Sequence, residues 1–122
     1  MNVTSSATAQ LDAGHSIPDL PRCVRPGHGH SWTITVTVED DLDPRTGWVR
    51  GSADLPLRLQ TFVDQMQSED LDEMLPGVIT SPLGLASATM ERLLLRFPKI
   101  VSVRVDCSDH TSGEIRRTPP QR

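Results

Sequence analysis

The sequence predicts an α+β domain: an antiparallel four-stranded sheet with two helices packed on one face. Three observations carry this. Residues 30–40, HSWTITVTVED, alternate with period two, placing Trp32, Ile34, Val36 and Val38 on one face and Thr33, Thr35 and Thr37 on the other. Two central stretches change to helical spacing. A valine-rich run, KIVSVRVDC, then returns to strand spacing near the C-terminus. Hairpin-linked strands, then paired helices, then strands is the order of an α+β fold rather than of repeated βαβ units.

Each element has a local reason. VTSSATAQLDAGH alternates loosely and is compatible with a first strand ending at His15, and SIPDLPRCVRPG carries three prolines and reads as a loop. After the HSWTITVTVED strand, DLDPRTG is a turn by its Asp, Pro and Gly content, and WVRGSAD is the returning arm of a hairpin, with Gly51 marking a bulge or a close backbone approach. DLPLRLQTFVDQMQSED is helical: Asp54 is placed to cap it, Pro56 fits the first turn, and Leu59, Phe62, Val63 and Met66 recur at i, i+3, i+4, i+7 as one buried face. LDEMLPGVITS connects. Ser81 is placed to cap a second helix, PLGLASATMERLLLRF, which opens on Pro82. In KIVSVRVDC, Ile100 is a β-branched start and Val101, Val103 and Val105 are expected on one face. SDHTSGEIRR has room for a short last strand.

Length and composition bound the rest. At 122 residues the chain is expected to form one domain, over residues 1–118, with a flexible tail at 119–122. Only four aromatic side chains are present, Phe62, Phe97, Trp32 and Trp48, so burial between subunits would supplement a modest core. The net charge is −4, and eleven of the twelve cations are Arg. No dense basic patch suggests nucleic acid. The N-terminal stretch lacks a charged segment followed by an apolar one, and no apolar run nears the ~18 residues that span a bilayer. Two cysteines make no disulfide framework. The expectation is a reduced, cytoplasmic protein with neither membrane nor nucleic-acid partners.

The stretch CVRPGHGHSW concentrates the chemistry. His28 and His30 stand at i and i+2, so at the mouth of a strand both imidazoles face one way, and Gly29 lets the backbone pass closely. His15 ends the preceding strand. If the two strands pair antiparallel, it lies near His28 and His30, and three neutral imidazoles suit zinc with a fourth position open. On spacing alone, ordinary strand and loop histidines account for the pattern equally well. Cys23, five residues before His28, is either a thiol activated by a neighbouring metal or imidazole or an incidental loop cysteine. Cys107, ending an apolar strand, reads first as a small core residue.

Taken together, LDAGH, CVRPGHGHSW, TGWV and LDEML resemble segments of the 6-pyruvoyl-tetrahydropterin synthase and 6-carboxytetrahydropterin synthase superfamily, from about Ala7 to Cys107. The resemblance implies the tunnelling fold, in which subunits assemble into an oligomeric barrel, as trimers or hexamers with sites between subunits. It implies zinc on His15, His28 and His30, Cys23 as catalytic base, and Asp72 as the relay acid. Glu73 stands where the family has its relay His. The acid that follows the hairpin strand appears as Gly51, and the helix opening PLGL lacks the family's Glu. The pterin-anchoring Glu falls near VRVDC, where Asp106 or Cys107 stands, according to register. Glu73 is a candidate general acid or base, or a solvated carboxylate. His110 is a candidate replacement imidazole oriented by Asp109 or Asp106, or a surface loop residue. Asp106 is a candidate to hold a substrate amine, or a strand-end charge.

The resemblance therefore implies an enzyme, a lyase or cyclase, with the metal site kept and the pterin-reading positions altered. Loss of a partner for the amino-pyrimidine edge costs specificity heavily. The expected activity is zinc- or acid/base-assisted carbonyl chemistry on a small non-pterin substrate, such as a Pictet–Spengler-type condensation and cyclisation in a biosynthetic pathway. The alternatives are a working 6-pyruvoyl- or 6-carboxytetrahydropterin synthase acting on dihydroneopterin triphosphate, and a non-catalytic zinc-binding oligomer.

Overall fold

The computed structural model describes residues 2–14, 29–67 and 81–118. Two long strands open it: β1 (Asn2–Gly14) and β2 (Gly29–Asp43), antiparallel with Asn2 opposite Asp41 and Gly14 opposite Gly29. A two-residue β3 (Trp48–Val49) folds back on the far end of β2. Helices α1 (Leu55–Asp64) and α2 (Pro82–Leu94) follow, then β4 (Ile100–Cys107) and β5 (Ser112–Arg116). The sheet runs β1-β2-β4-β5, with β3 attached to β2.

The alternation in β2 sets the layers. Trp32, Ile34, Val36 and Val38 are all fully buried on the face that carries the helices. Leu11, Ala9 and Ala7 of β1 lie opposite Trp32, Ile34 and Val36, and Cys107, Val105 and Val103 of β4 flank the same three residues on the other side. Removing Ile34, Val36 or Val38 from water stabilises the fold by roughly 1.5–3 kcal/mol each. Helix α1 packs over β1 with Leu55, Leu59, Phe62 and Val63. Helix α2 packs over β4 and β5 with Leu85, Ala86, Met90 and Leu93.

Three expectations change. Ile100, not Val101, is the fully buried member of the β4 start, because the register slips between Thr37 and Val38 and pairs Val38 with Ile100. The extra residue of this bulge is Val101, which is only half-buried. Helix α1 stops at Asp64 rather than running on. The chain closes with a tighter turn in which the Met66 amide donates to the Val63 carbonyl at 2.9 Å, and Met66 stays buried. Asp54 stands at the start of α1 but makes no side-chain cap; its carboxylate accepts from Arg96 at 2.6 Å and from Arg58 at 3.5 Å. Ser81 does cap α2, accepting from the Gly84 amide at 3.0 Å. The hairpin turn after β2 depends on Gly47, at φ +74°, whose amide donates to the Asp43 carbonyl. Gly51, at φ +76°, marks a turn after β3.

Candidate functional site

The face of the sheet away from the helices is polar, as the alternation requires. Thr and Ser hydroxyls bridge β1 and β2 along it: Ser6 to Thr37 at 2.8 Å and Thr8 to Thr35 at 3.2 Å. Toward the end of the sheet where β1 finishes and β2 begins, this face carries Gln10, Thr33, Asp106 and Ser112 in one row of register across β1, β2, β4 and β5. The next row holds Asp12 and Ser31, joined by a 2.7 Å bond from the Ser31 hydroxyl to the Asp12 carboxylate.

That same sheet end carries the sequence candidates the structure describes. The β1–β2 ladder extends to Ala13 opposite His30 and Gly14 opposite Gly29. His15 follows Gly14 in the chain and His28 precedes Gly29. The antiparallel pairing on which the three-imidazole reading depends is thus formed up to the residues bordering both positions. His15, Cys23, His28, Asp72 and Glu73 lie outside the described residues, and His30 is described by its backbone alone. Among the described residues no group of three His, Cys, Asp or Glu stands together to hold a metal. The donor set of three imidazoles fits zinc by its chemistry.

The two register alternatives on β4 separate cleanly. Asp106 lies on the polar face opposite Thr33, and Cys107 lies on the core face opposite Trp32, only 7% exposed. Burial pushes the Cys107 thiol up to about 11, with the neighbouring Asp109 as a smaller influence. Cys107 is therefore a protonated core residue at neutral pH, and of the two residues only Asp106 is presented on the open polar face. The Asp106 carboxylate accepts two bonds from the Arg104 guanidinium, at 2.9 and 3.1 Å, and this pairing raises the Arg104 pKa.

His110 sits in the turn between β4 and β5 at φ 71°, an unusual conformation for a residue with a side chain, and its imidazole is exposed. Local bonds hold this turn. The His110 amide donates to the Cys107 carbonyl at 3.0 Å, the Cys107 amide to the Thr111 carbonyl at 2.8 Å, and the Thr111 amide to the Asp109 carboxylate at 3.0 Å. The turn is also tied to β2, with the Ser108 amide donating to the Ser31 carbonyl at 2.9 Å and the Ser31 amide to the Ser108 hydroxyl at 3.1 Å. His110 and Asp106 are thus held at the end of the sheet where His30 begins its strand.

Gln67 makes a contact near the candidate site that sequence reasoning missed. Its side-chain carbonyl accepts from the Asp12 amide at 3.0 Å, and its side-chain amide donates to the Gln10 carbonyl at 2.8 Å. It thereby acts as one extra pairing unit on the outer edge of β1, just before the segment that contains Asp72 and Glu73. An amphipathic pattern carries no sign of such a contact. Only the spatial meeting of α1 with the end of β1 creates it.

Comparison with known proteins agrees with this architecture. A family model described as 6-pyruvoyl tetrahydropterin synthase matches residues 4–117. The chain is 37% identical over 57 residues to 6-pyruvoyl tetrahydrobiopterin synthase of Pongo abelii and, equally, of Homo sapiens; each match spans 45% of this chain and 39% of the relative. Among solved structures, the 6-pyruvoyl tetrahydropterin synthase of Caenorhabditis elegans superposes with a TM-score of 0.81 at 18% identity, over 97% of both chains. An uncharacterized protein of Wolinella succinogenes superposes at 0.75 with 12% identity, over 97% of this chain and 99% of that one. At such identities these structures speak for the fold.

Proposed function

The chain belongs to the 6-pyruvoyl tetrahydropterin synthase family, and from that membership we propose an enzyme that performs carbonyl chemistry on a small non-pterin substrate. The observation that carries this is the state of Asp106. A pterin ring is read by a carboxylate free to pair with its amino-pyrimidine edge. Here the carboxylate on the polar face of β4 is the shorter Asp, and Arg104 engages both of its oxygens. A carboxylate so engaged is poorly placed for the two-point pairing that a planar amino-pyrimidine edge requires of both oxygens, and favours a substrate whose amine needs one oxygen of Asp106, or whose carboxylate pairs with Arg104.

In this proposal His15, His28 and His30 hold zinc, which would supply Lewis-acid polarisation of a carbonyl oxygen. Cys23 takes a proton from the substrate, and Glu73, next to Asp72 in the sequence, holds or returns it. His110 is the further imidazole at the same end of the sheet. Condensation of an amine with an aldehyde followed by ring closure, of Pictet–Spengler type, needs one acid and one base, and this set supplies both. Assembly as a trimer or hexamer with sites between subunits belongs to the same proposal. It is supported by β1 and β5, which each pair on one side only in the sheet. No described helix is long and apolar enough to cross a membrane, and a cytoplasmic location is proposed with the rest.

A second reading is a working pterin synthase, favoured by the names of the relatives. Elemental analysis of the purified protein, followed by incubation with dihydroneopterin triphosphate, separates the two. Zinc near one per chain without loss of the pterin substrate supports the altered chemistry and directs a screen of amine–aldehyde pairs. Zinc with pterin turnover establishes the second reading instead. Absence of zinc removes the metal role of His15, His28 and His30.

A further inference from the structure

On the helix side of the sheet, remote from its polar face, α1 and α2 leave a groove of about 320 Å³ between them, lined by Arg58, Thr61, Phe62, Arg92, Leu93 and Arg96. The groove exists because the helices sit over different strands, α1 on β1 and α2 on β4 and β5. Its floor is apolar: Phe62 is 7% and Leu93 is 5% exposed. Three guanidinium groups form its charged lining, and no carboxylate is among the lining residues. In a chain of net charge −4, this is a local cluster of positive charge with Asp54 as an adjacent counter-charge.

Two of the three guanidinium groups are held in place. Asp54 accepts from Arg96 at 2.6 Å and from Arg58 at 3.5 Å, and the bond from Arg96 is the main reason its carboxyl titrates below the usual carboxylate range. One carboxylate thus orients two cations and leaves each with further N–H donors. Arg92, in the last turn of α2, forms no ion pair among the described residues. We infer that this groove is a binding site for a phosphate-bearing small anion, separate from the sheet-end site. The planar donor forks of Arg58, Arg92 and Arg96 match phosphate oxygens, and Phe62 and Leu93 accept the apolar part of such a ligand.

Isothermal titration calorimetry with inorganic pyrophosphate on the full chain tests the assignment. Pyrophosphate is expected to bind, with affinity falling roughly tenfold or more in Arg92→Gln and again in Arg58→Gln. Both side chains are exposed, so circular dichroism and thermal midpoints of the two variants should match the parent. In His28→Ala the binding step that Arg92→Gln weakens is expected to remain. Absence of binding at millimolar pyrophosphate overturns the inference. So does binding that survives both Arg substitutions but disappears in His28→Ala, which would locate the anion at the sheet end. Citrate binding as tightly as pyrophosphate would overturn the phosphate assignment.

Discussion

Arg104 and Asp106 lie two residues apart on the polar face of β4 and meet side by side, the guanidinium donating to both carboxylate oxygens at 2.9 and 3.1 Å. The geometry is the two-point fork that Arg forms with carboxylates. Both side chains remain about half exposed, at 48% and 44%. Such a pair adds little to stability, so the recognition role proposed for it can be tested without loss of the fold.

Asp106→Asn is expected to leave the thermal midpoint nearly unchanged while lowering kcat/KM about 10- to 100-fold on an amine-bearing substrate, mostly through KM. Steady-state kinetics beside differential scanning calorimetry makes the check. A large loss of stability with unchanged kinetics would reduce the pair to a structural one.

Cys107 predicts the alkaline limb of stability. Its thiol is raised from 9.0 in the unfolded chain to about 11 in the fold. Above the lower value the unfolded chain releases a proton that the folded chain retains. Stability therefore declines as pH rises from 9 toward 11, by about 1–3 kcal/mol. Urea unfolding at pH 8 and pH 10.5 measures this, and Cys107→Ala should flatten the decline. In native protein at pH 8, iodoacetamide should leave Cys107 unmodified.

Asp54 predicts the acid limb. Its carboxyl is lowered in the fold, so its contribution is present above the unfolded value and is lost as pH falls through the folded one. The carboxylate is a third exposed, and solvent screening holds the contribution to about 0.5 kcal/mol. Asp54→Asn should lose that amount at pH 7 and show a shallower fall between pH 5 and about 2 in urea titrations.

Gly113 predicts a steric limit. A Cβ there would lie 2.8 Å from the Leu83 backbone nitrogen and 2.8 Å from its side chain. The Leu83 side chain is exposed and can swing aside, but the nitrogen in the first turn of α2 cannot. Gly113→Ala should cost about 1–3 kcal/mol, read as a lowered thermal midpoint.

The sequence alone determined whatever repeats at short range. Period two selected the buried face of β2, helical spacing selected Leu59, Phe62, Val63 and Met66, and Ser81 before Pro82 marked the start of α2. The residue types in CVRPGHGHSW left zinc ligands and ordinary loop histidines equally open, and the family resemblance is what favoured zinc. The tertiary structure alone decided what depends on meetings between distant segments. A bulge between β2 and β4 exchanged Val101 for Ile100. The β2–β4 register sent Asp106 to the open face and Cys107 to the core. The packing of α2 beside α1 turned Asp54 from a helix cap into the clasp of Arg58 and Arg96, and the end of β1 gave Gln67 its partners. Periodicity records which side of its own element a residue takes. The partner it meets there depends on chain closure over tens of residues, and no local pattern encodes that.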